Sequence, residues 1–203
     1  MEQMKEYEYV DLGLPSGLKW AKCNIGAETE TDYGDYFMWG EVTPNTDEEY
    51  SWASYKYCNG SYDTLTKYCR KKNYGTVDNK LALDTEDDAA IQIMGGDWRM
   101  PTKDEFQELL DNTTNEWIED YNGSGVNGRK FTSKTNGNSI FIPASGCRWG
   151  NSFHYQGEDC AIWSSSLNAL SNDNAWCLSS SSYYINVNYD YRFGGFVIRG
   201  VMN

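Results

Sequence analysis

An α+β fold, mainly antiparallel β with two helices, is predicted by three features of this chain. Period-two and hairpin patterns occupy both ends, two capped helical stretches lie between them, and no βαβ alternation is present. At the start, Tyr9-Val10-Asp11-Leu12 runs into a Pro15-Ser16-Gly17 turn. Leu18 to Cys23 then alternates apolar and polar positions, which predicts a hairpin. Tyr33 to Gly40 is a short aromatic run between glycines, expected as a buried strand or tight loop. Residues 43–80 mix Pro, Asn, Gly, Ser and Tyr without a period and read as an aromatic-rich loop region over the core.

The first helix is expected after Asp84-Thr85-Glu86-Asp87-Asp88, with Thr85 as N-cap, an apolar body at Ala89-Ala90-Ile91 and Ile93-Met94, and Gly95-Gly96 as its stop. The same acids could be read as a calcium site, but they lack the loop glycine and spaced oxygens of an EF-hand, so capping is preferred. The second helix follows Pro101: Thr102 and Glu105 make a capping box, and Phe106, Leu109 and Leu110 share one face. Beyond it, Arg129–Ser133 and Ser139–Pro143 flank Thr135-Asn136-Gly137-Asn138, a hairpin signal. Strands are also expected at Ala161–Ser166, Ala175–Leu178 and within Ser179–Val201, while Trp39, Trp98 and Trp117 are read as core.

Composition narrows the function. Apolar residues are 39 % of 203, but 16 Tyr, 8 Trp and 7 Phe supply enough large side chains for a core. The net charge of −13 repels phosphate backbones and anionic lipid, so nucleic acid is not an expected partner. Membrane insertion is not expected either, because no apolar run approaches the length that spans a bilayer. The acidic opening MEQMKEYEYVDLG has no apolar h-region, so a secretory leader is not expected. The six Cys lack CxxC spacing, which argues against zinc and leaves free, mostly buried thiols as the expectation beside a possible disulfide framework. His154 is the only histidine; a histidine-dependent catalytic arrangement would have to use it, and an ordinary surface or groove role is preferred.

The last sixty residues carry most of the functional information. In Tyr183–Phe193 the odd positions are Tyr, Ile, Val, Tyr, Tyr and Phe, and the even positions after Tyr184 are Asn186, Asn188, Asp190 and Arg192, the mark of a strand with one buried face. From Cys177 through Val201 there is no Lys, Glu, Gln, Trp or Met. Every residue type present is reachable from a codon ending in a pyrimidine, the set produced by substituting adenines in an asparagine codon. The chemistry is that of a paratope: Tyr for rigid amphipathic area, Ser, Asn and Gly for adaptable hydrogen bonds. The aromatics of Tyr189–Phe193 could instead be a core face; their mixture with Asn188 and Asp190 favours a binding surface.

Gly96-Asp97-Trp98-Arg99-Met100-Pro101-Thr102-Lys103-Asp104-Glu105-Phe106 resembles the R-L-P-T-E-x-E-W segment of the formylglycine-generating-enzyme branch of the C-type lectin fold. The order Val10–Gly17, Tyr33–Phe37, Trp39-Gly40-Glu41, Trp163–Ser166, Asn174-Ala175-Trp176 and Gly195–Arg199 resembles Bacteroidales paralogous domains of that fold, many of them variable proteins of diversity-generating retroelements. The family usually ends V-R-P-V; here Ile198-Arg199-Gly200-Val201 lacks the proline.

The resemblance implies one C-type-lectin-like domain over residues 1–203, with a variable ligand-binding region at about 147–193. Carried over by position, the ligand-binding residues would be Trp149, Asn151, Phe153, His154, Tyr155, Asp159, Ser179, Ser181, Tyr184, Asn186, Asn188, Tyr189, Asp190, Tyr191 and Phe193. Cys160 and Cys177 would be chance products of diversification, and Trp149 departs from the codon pattern, since its codon ends in a purine. Trp163–Ser166, Asn174–Trp176, Gly195 and Arg199 would be fixed frame.

The expected function is non-catalytic recognition of a protein or glycan ligand, without metal or cofactor, at a cell surface or on a phage particle. One competing reading is a surface or structural paralogue without diversification. The other is a copper-dependent oxidase of the formylglycine-generating type, for which Cys160 and Cys177 are the only candidate pair and stand in the wrong contexts. A calcium-dependent sugar site is disfavoured, because no Glu-Pro-Asn or Trp-Asn-Asp stretch is present.

Overall fold

The computed structural model describes residues 6–45 and 49–203; residues 1–5 of the acidic opening and 46–48 of the aromatic loop region lie outside the described residues. In chain order come strands β1 (Tyr9–Asp11) and β2 (Lys19–Ala21), helices α1 (Ala89–Met94) and α2 (Lys103–Asn112), then β3 (Thr113–Ile118), β4 (Gly128–Ser133), β5 (Ser139–Pro143), β6 (Cys147–Trp149), β7 (Ser152–His154), β8 (Asp159–Leu167), β9 (Asn174–Ser181), β10 (Ile185–Tyr191) and β11 (Val201–Met202). The fold is α+β, with two helices and four small sheets ordered β1-β2-β11, β3-β4-β5, β6-β7 and β10-β9-β8. Every pairing between named strands is antiparallel.

Local chemistry accounts for the best-defined elements. The Gly17 N–H donates to the Leu14 carbonyl at 2.9 Å and closes the first hairpin. At α2 the capping box is complete: the Glu105 N–H donates to Thr102 Oγ1 at 3.2 Å, and the Thr102 N–H donates to Glu105 Oε2 at 2.7 Å. Arg99 clamps the same carboxylate at 2.8 and 2.5 Å, which fixes the helix start against the preceding turn. Phe106 and Leu109 are buried and Leu110 half-buried, so the apolar stripe faces the core.

The first helix starts later than the sequence predicts. Thr85 opens a 3-10 turn, Thr85–Asp87, and the N-cap of α1 is Asp88, whose carboxylate accepts from the Ala90 and Ile91 N–H groups and from Met100 across the gap to α2. Asp88 wins because its carboxylate reaches two separate backbone segments. The acids beside it hold a lysine: Lys67 Nζ lies 2.6 Å from Asp84, 3.4 Å from Glu86 and 2.5 Å from Asp87. Strand β3 was not expected, since its residues, TTNEWI, are mostly polar; it pairs with β4 from Thr113↔Ser133 to Ile118↔Gly128. Trp117 is only half-buried, over the Arg129 guanidinium, whereas Trp39 and Trp98 are buried.

The C-terminal segment binds these sheets together. Gly195 bridges to Arg148 of β6, Phe196 to Phe37, Val197 to Ile162 of β8, and Val201 to both Trp20 and Arg99. Trp163 stacks on Phe196 at 4.2 Å and donates its indole N–H to the Phe37 carbonyl at 2.9 Å. Gly195 has to be glycine, because a Cβ there would lie 2.3 Å from the Tyr50 ring.

Two arginines are fully buried and have no carboxylate partner among the described residues. Arg199 donates to Asn24 Oδ1 and the Ala21, Lys22 and Phe141 carbonyls. Arg192 donates to the Tyr55 hydroxyl and the Tyr68, Asn172 and Lys67 carbonyls, under the ring of Trp39. The six cysteines are free thiols; Cys69, Cys147, Cys160 and Cys177 are buried.

Candidate ligand-binding site

Strand register decides which residues of the predicted region meet. Ala161 pairs with Ser179 and Ser179 with Asn186; Trp163 pairs with Cys177 and Cys177 with Asn188. Directly paired residues share a face, so Ala161, Ser179, Cys177, Asn186, Asn188 and Asp190 line up on one side of the β8-β9-β10 sheet. The β6–β7 hairpin stands beside that face, tied to it by the Gly146 N–H on the Asp159 carbonyl at 2.7 Å.

Between hairpin and sheet lies a cavity of about 480 Å³. Cys147, Ala161, Cys177 and Phe196, all buried, form its floor. Of the predicted residues, Trp149, His154, Tyr155, Asp159, Ser179, Tyr184, Asn188 and Asp190 line it. The Tyr184 hydroxyl lies 3.2 Å from Ser179 Oγ. A second cavity, about 340 Å³, sits where the β1–β2 hairpin meets the following loop and contains none of the predicted residues.

An aromatic ledge adjoins the cavity. Phe193 is half-buried, with Trp149 at 4.9 Å and Trp52 at 5.0 Å, and Tyr191 stacks on it at 5.7 Å while keeping 44 % of its surface exposed. Phe153, half exposed, meets Tyr36 edge-on at 5.2 Å and the Arg148 guanidinium at 4.9 Å. Asn151 and Asn186 are exposed but do not line the cavity.

Several expectations change. Ser181 is buried; its hydroxyl accepts from the Tyr183 N–H and its carbonyl accepts from Arg129, so it secures the β9–β10 turn. Tyr189 pairs with Trp176 and meets its ring edge-on at 5.5 Å, which puts it on the opposite face of the sheet from the cavity. Trp176, expected as buried frame, is half-exposed there with Lys103 Nζ 5.1 Å from its ring. Cys160 is buried against the Ile142 carbonyl and displays nothing. The period-two pattern of β10 does not produce a fully buried face: Ile185 and Val187 are half-buried, and Tyr189 and Tyr191 exposed, because β10 is the edge strand of its sheet.

Two carboxyls, Asp159 and Asp190, stand in the lining of the cavity. Burial raises the Asp190 carboxyl, against the Tyr191 N–H that donates to it at 2.7 Å, and burial also raises Asp159. Burial pushes the Cys147 thiol up to about 11 despite the Trp149 indole N–H donating to its sulfur at 3.0 Å, and burial also holds the Cys177 thiol well above its ordinary value. Both thiols are therefore protonated at neutral pH, the form with little nucleophilic or metal-binding power. Among the described residues, no Lys or Arg lines the cavity.

The sequence pattern missed Trp52 and Cys147. Trp52 belongs to the period-free aromatic stretch Tyr50–Tyr57, and only its density of rings marked it; Cys147 lay in the predicted region with nothing to single it out.

Comparison with protein-family models, curated proteins and solved structures finds no match to this chain.

Proposed function

We propose that this chain is a non-catalytic ligand-binding protein built on a C-type lectin scaffold, of the kind found among variable proteins of diversity-generating retroelements. It would recognise a protein or glycan through the cavity and ledge of residues 147–193. The observation that carries the reading is convergence. Residues that the resemblance carries over by position, from Trp149 to Asp190, are scattered over some forty positions, and eight of them line one cavity. Tyr155 and Tyr184 in its lining, and Phe153 and Tyr191 outside it, hold out large, half-exposed rings, an arrangement suited to recognition and without use to a core.

The scaffold reading draws support from the pairing of the first and last strands through β2, the two helices between them, and the buried Trp163 and Arg199 at the positions the resemblance assigns to frame. Cys160 and Cys177, the candidate pair for an oxidase, weigh against that reading: the register puts them on opposite faces of the sheet, and burial raises both thiols. Among the described residues no helix is long and apolar enough to cross a membrane, and the net charge of −13 disfavours nucleic acid.

The test is an array of cell surfaces, glycans and envelope proteins probed with the wild type and with a variant carrying Tyr155→Ser, Tyr184→Ser and Tyr191→Ser. The expected result is selective binding by the wild type that the variant loses, with a melting temperature unchanged within about 3 °C, as for surface substitutions. Binding that survives in the folded variant, or a wild type that binds nothing on the array, contradicts the reading.

A further inference from the structure

We propose that the cavity receives a cationic side chain, an ammonium or guanidinium group presented by a basic epitope of a protein ligand. The inference rests on the ligand-binding reading and names the chemistry of its central contact. Three features meet in the one space: the rings of Trp149, Tyr155 and Tyr184 as walls, the carboxyls of Asp159 and Asp190, and a floor that holds no counter-charge. The Cys177 thiol, 2 % exposed, lies at that floor with no hydrogen-bond partner among the described residues. Aromatic faces attract cations, and carboxylates in a partly dehydrated site attract them more strongly than carboxylates in open water.

Four arginines of the molecule are committed elsewhere. Arg148 lies between the rings of Tyr50 and Phe153, at 4.6 and 4.9 Å, and donates to the Asn45 carbonyl. Arg129 is held by Ser180, Asn115 and the Ser181 carbonyl, and Arg192 and Arg199 are buried on their own carbonyls. Among the described residues, none forms an ion pair with Asp159 or Asp190.

The same chain shows how this chemistry looks when filled. Lys67 Nζ sits 2.6 Å from Asp84 and 2.5 Å from Asp87, with the Tyr68 ring centroid at 4.9 Å and the Tyr57 ring at 6.0 Å. With Glu86 at 3.4 Å, three carboxylates and two tyrosine rings enclose an ammonium. The cavity likewise sets carboxyls beside tyrosine rings, two acids rather than three and no lysine, and its volume of about 480 Å³ is within the range of small-ligand sites. A net charge of −13 would also draw basic partners toward it.

The experiment titrates the isotopically labelled protein by NMR with Nα-acetyl-lysine N-methylamide and with Nα-acetyl-norleucine N-methylamide, at constant ionic strength. Norleucine matches the lysine stem and lacks the ammonium. The expected result is saturable shifts at the Trp149 indole and the Cys177 and Asn188 amides with the lysine probe, and at least about tenfold weaker binding of the norleucine probe. Asp190→Asn and Asp159→Asn, each folded by its own spectrum, should each weaken the lysine probe severalfold. Equal response to both probes, shifts outside the cavity, or no response to lysine up to about 100 mM overturns the proposal. A protein that binds a ligand on the array but ignores the lysine probe keeps the ligand-binding reading and loses this one. A protein that takes the probe but binds nothing on the array does the reverse.

Discussion

Two stretches of this chain are rich in tyrosine, and they use it in opposite ways. In the loop region Tyr50, Tyr55, Tyr57 and Tyr68 are buried, and each hydroxyl reaches a fixed acceptor: the Tyr36, Trp39 and Gly40 carbonyls for the first three, Asp87 Oδ2 for Tyr68. Near the C-terminus Tyr183, Tyr184, Tyr189 and Tyr191 are exposed, from 40 % to 96 %. An amphipathic ring serves either purpose, and the surroundings decide which. The loop tyrosines close over Trp39 and Arg192, so their hydroxyls satisfy backbone that no regular strand pairs. The C-terminal tyrosines stand on or beside an edge strand and keep much of their ring surface exposed.

Substitutions can break the comparison most forcefully at the ring. Tyr55→Ala should destabilise by about 3–5 kcal/mol, because it empties a fully packed site and strands the Arg192 Nε–H, whereas Tyr191→Ala should stay within about 1 kcal/mol. Thermal or denaturant unfolding of the two variants checks this; equal losses would erase the distinction. Removing only the hydroxyl gives a smaller contrast. Tyr68→Phe should cost about 1–3 kcal/mol through the lost bonds to Asp87 and the Asp84 N–H, while Tyr184→Phe should be close to neutral.

The smallest effect lies in the acids of the two regions, which should respond to pH with opposite sign. Burial tends to raise Asp87, but Lys67 and the Tyr68 hydroxyl, both donating to it, outweigh burial and hold the carboxyl below its ordinary value. Its stabilising contribution is present above the unfolded value of 3.8 and is lost as pH falls through the folded value. Asp190 is raised by burial, so its contribution is present below 3.8 and is lost as pH rises through the folded value. The stability gap between wild type and Asp87→Asn should therefore narrow on acidification. Relative to Asp190→Asn, the wild type should lose ground as pH climbs above that range. Parallel curves for the two variants would contradict the assignment.

Much of the fold was legible because its signals are local. The Thr102–Glu105 box, the Asn136-Gly137 hairpin and the Gly95-Gly96 helix stop each act within a few residues, and each is realised. What was not legible depends on partners distant in sequence. β3 is a strand because β4 supplies its hydrogen bonds, not because its polar residues favour one. Asp88 displaces Thr85 as N-cap through its second bond to Met100. Within the candidate site, composition singled out Cys177–Val201 and the resemblance the rest, but only the register separates Asn188 and Asp190 from Tyr189, and only the β9–β10 turn explains why Ser181 is buried. Trp52 escaped notice because it reaches Phe193 from well over a hundred residues away.

The most direct test of the central claim is to sequence sibling copies of this chain from one lineage. Substitutions should concentrate at exposed positions of the candidate site such as Asn151, Phe153, Tyr184, Asn186, Asn188 and Tyr191. They should be absent from Tyr50, Tyr55, Tyr57, Tyr68, Trp163 and Arg199. Substitutions spread evenly over both tyrosine-rich regions, or concentrated in the buried one, would contradict the account.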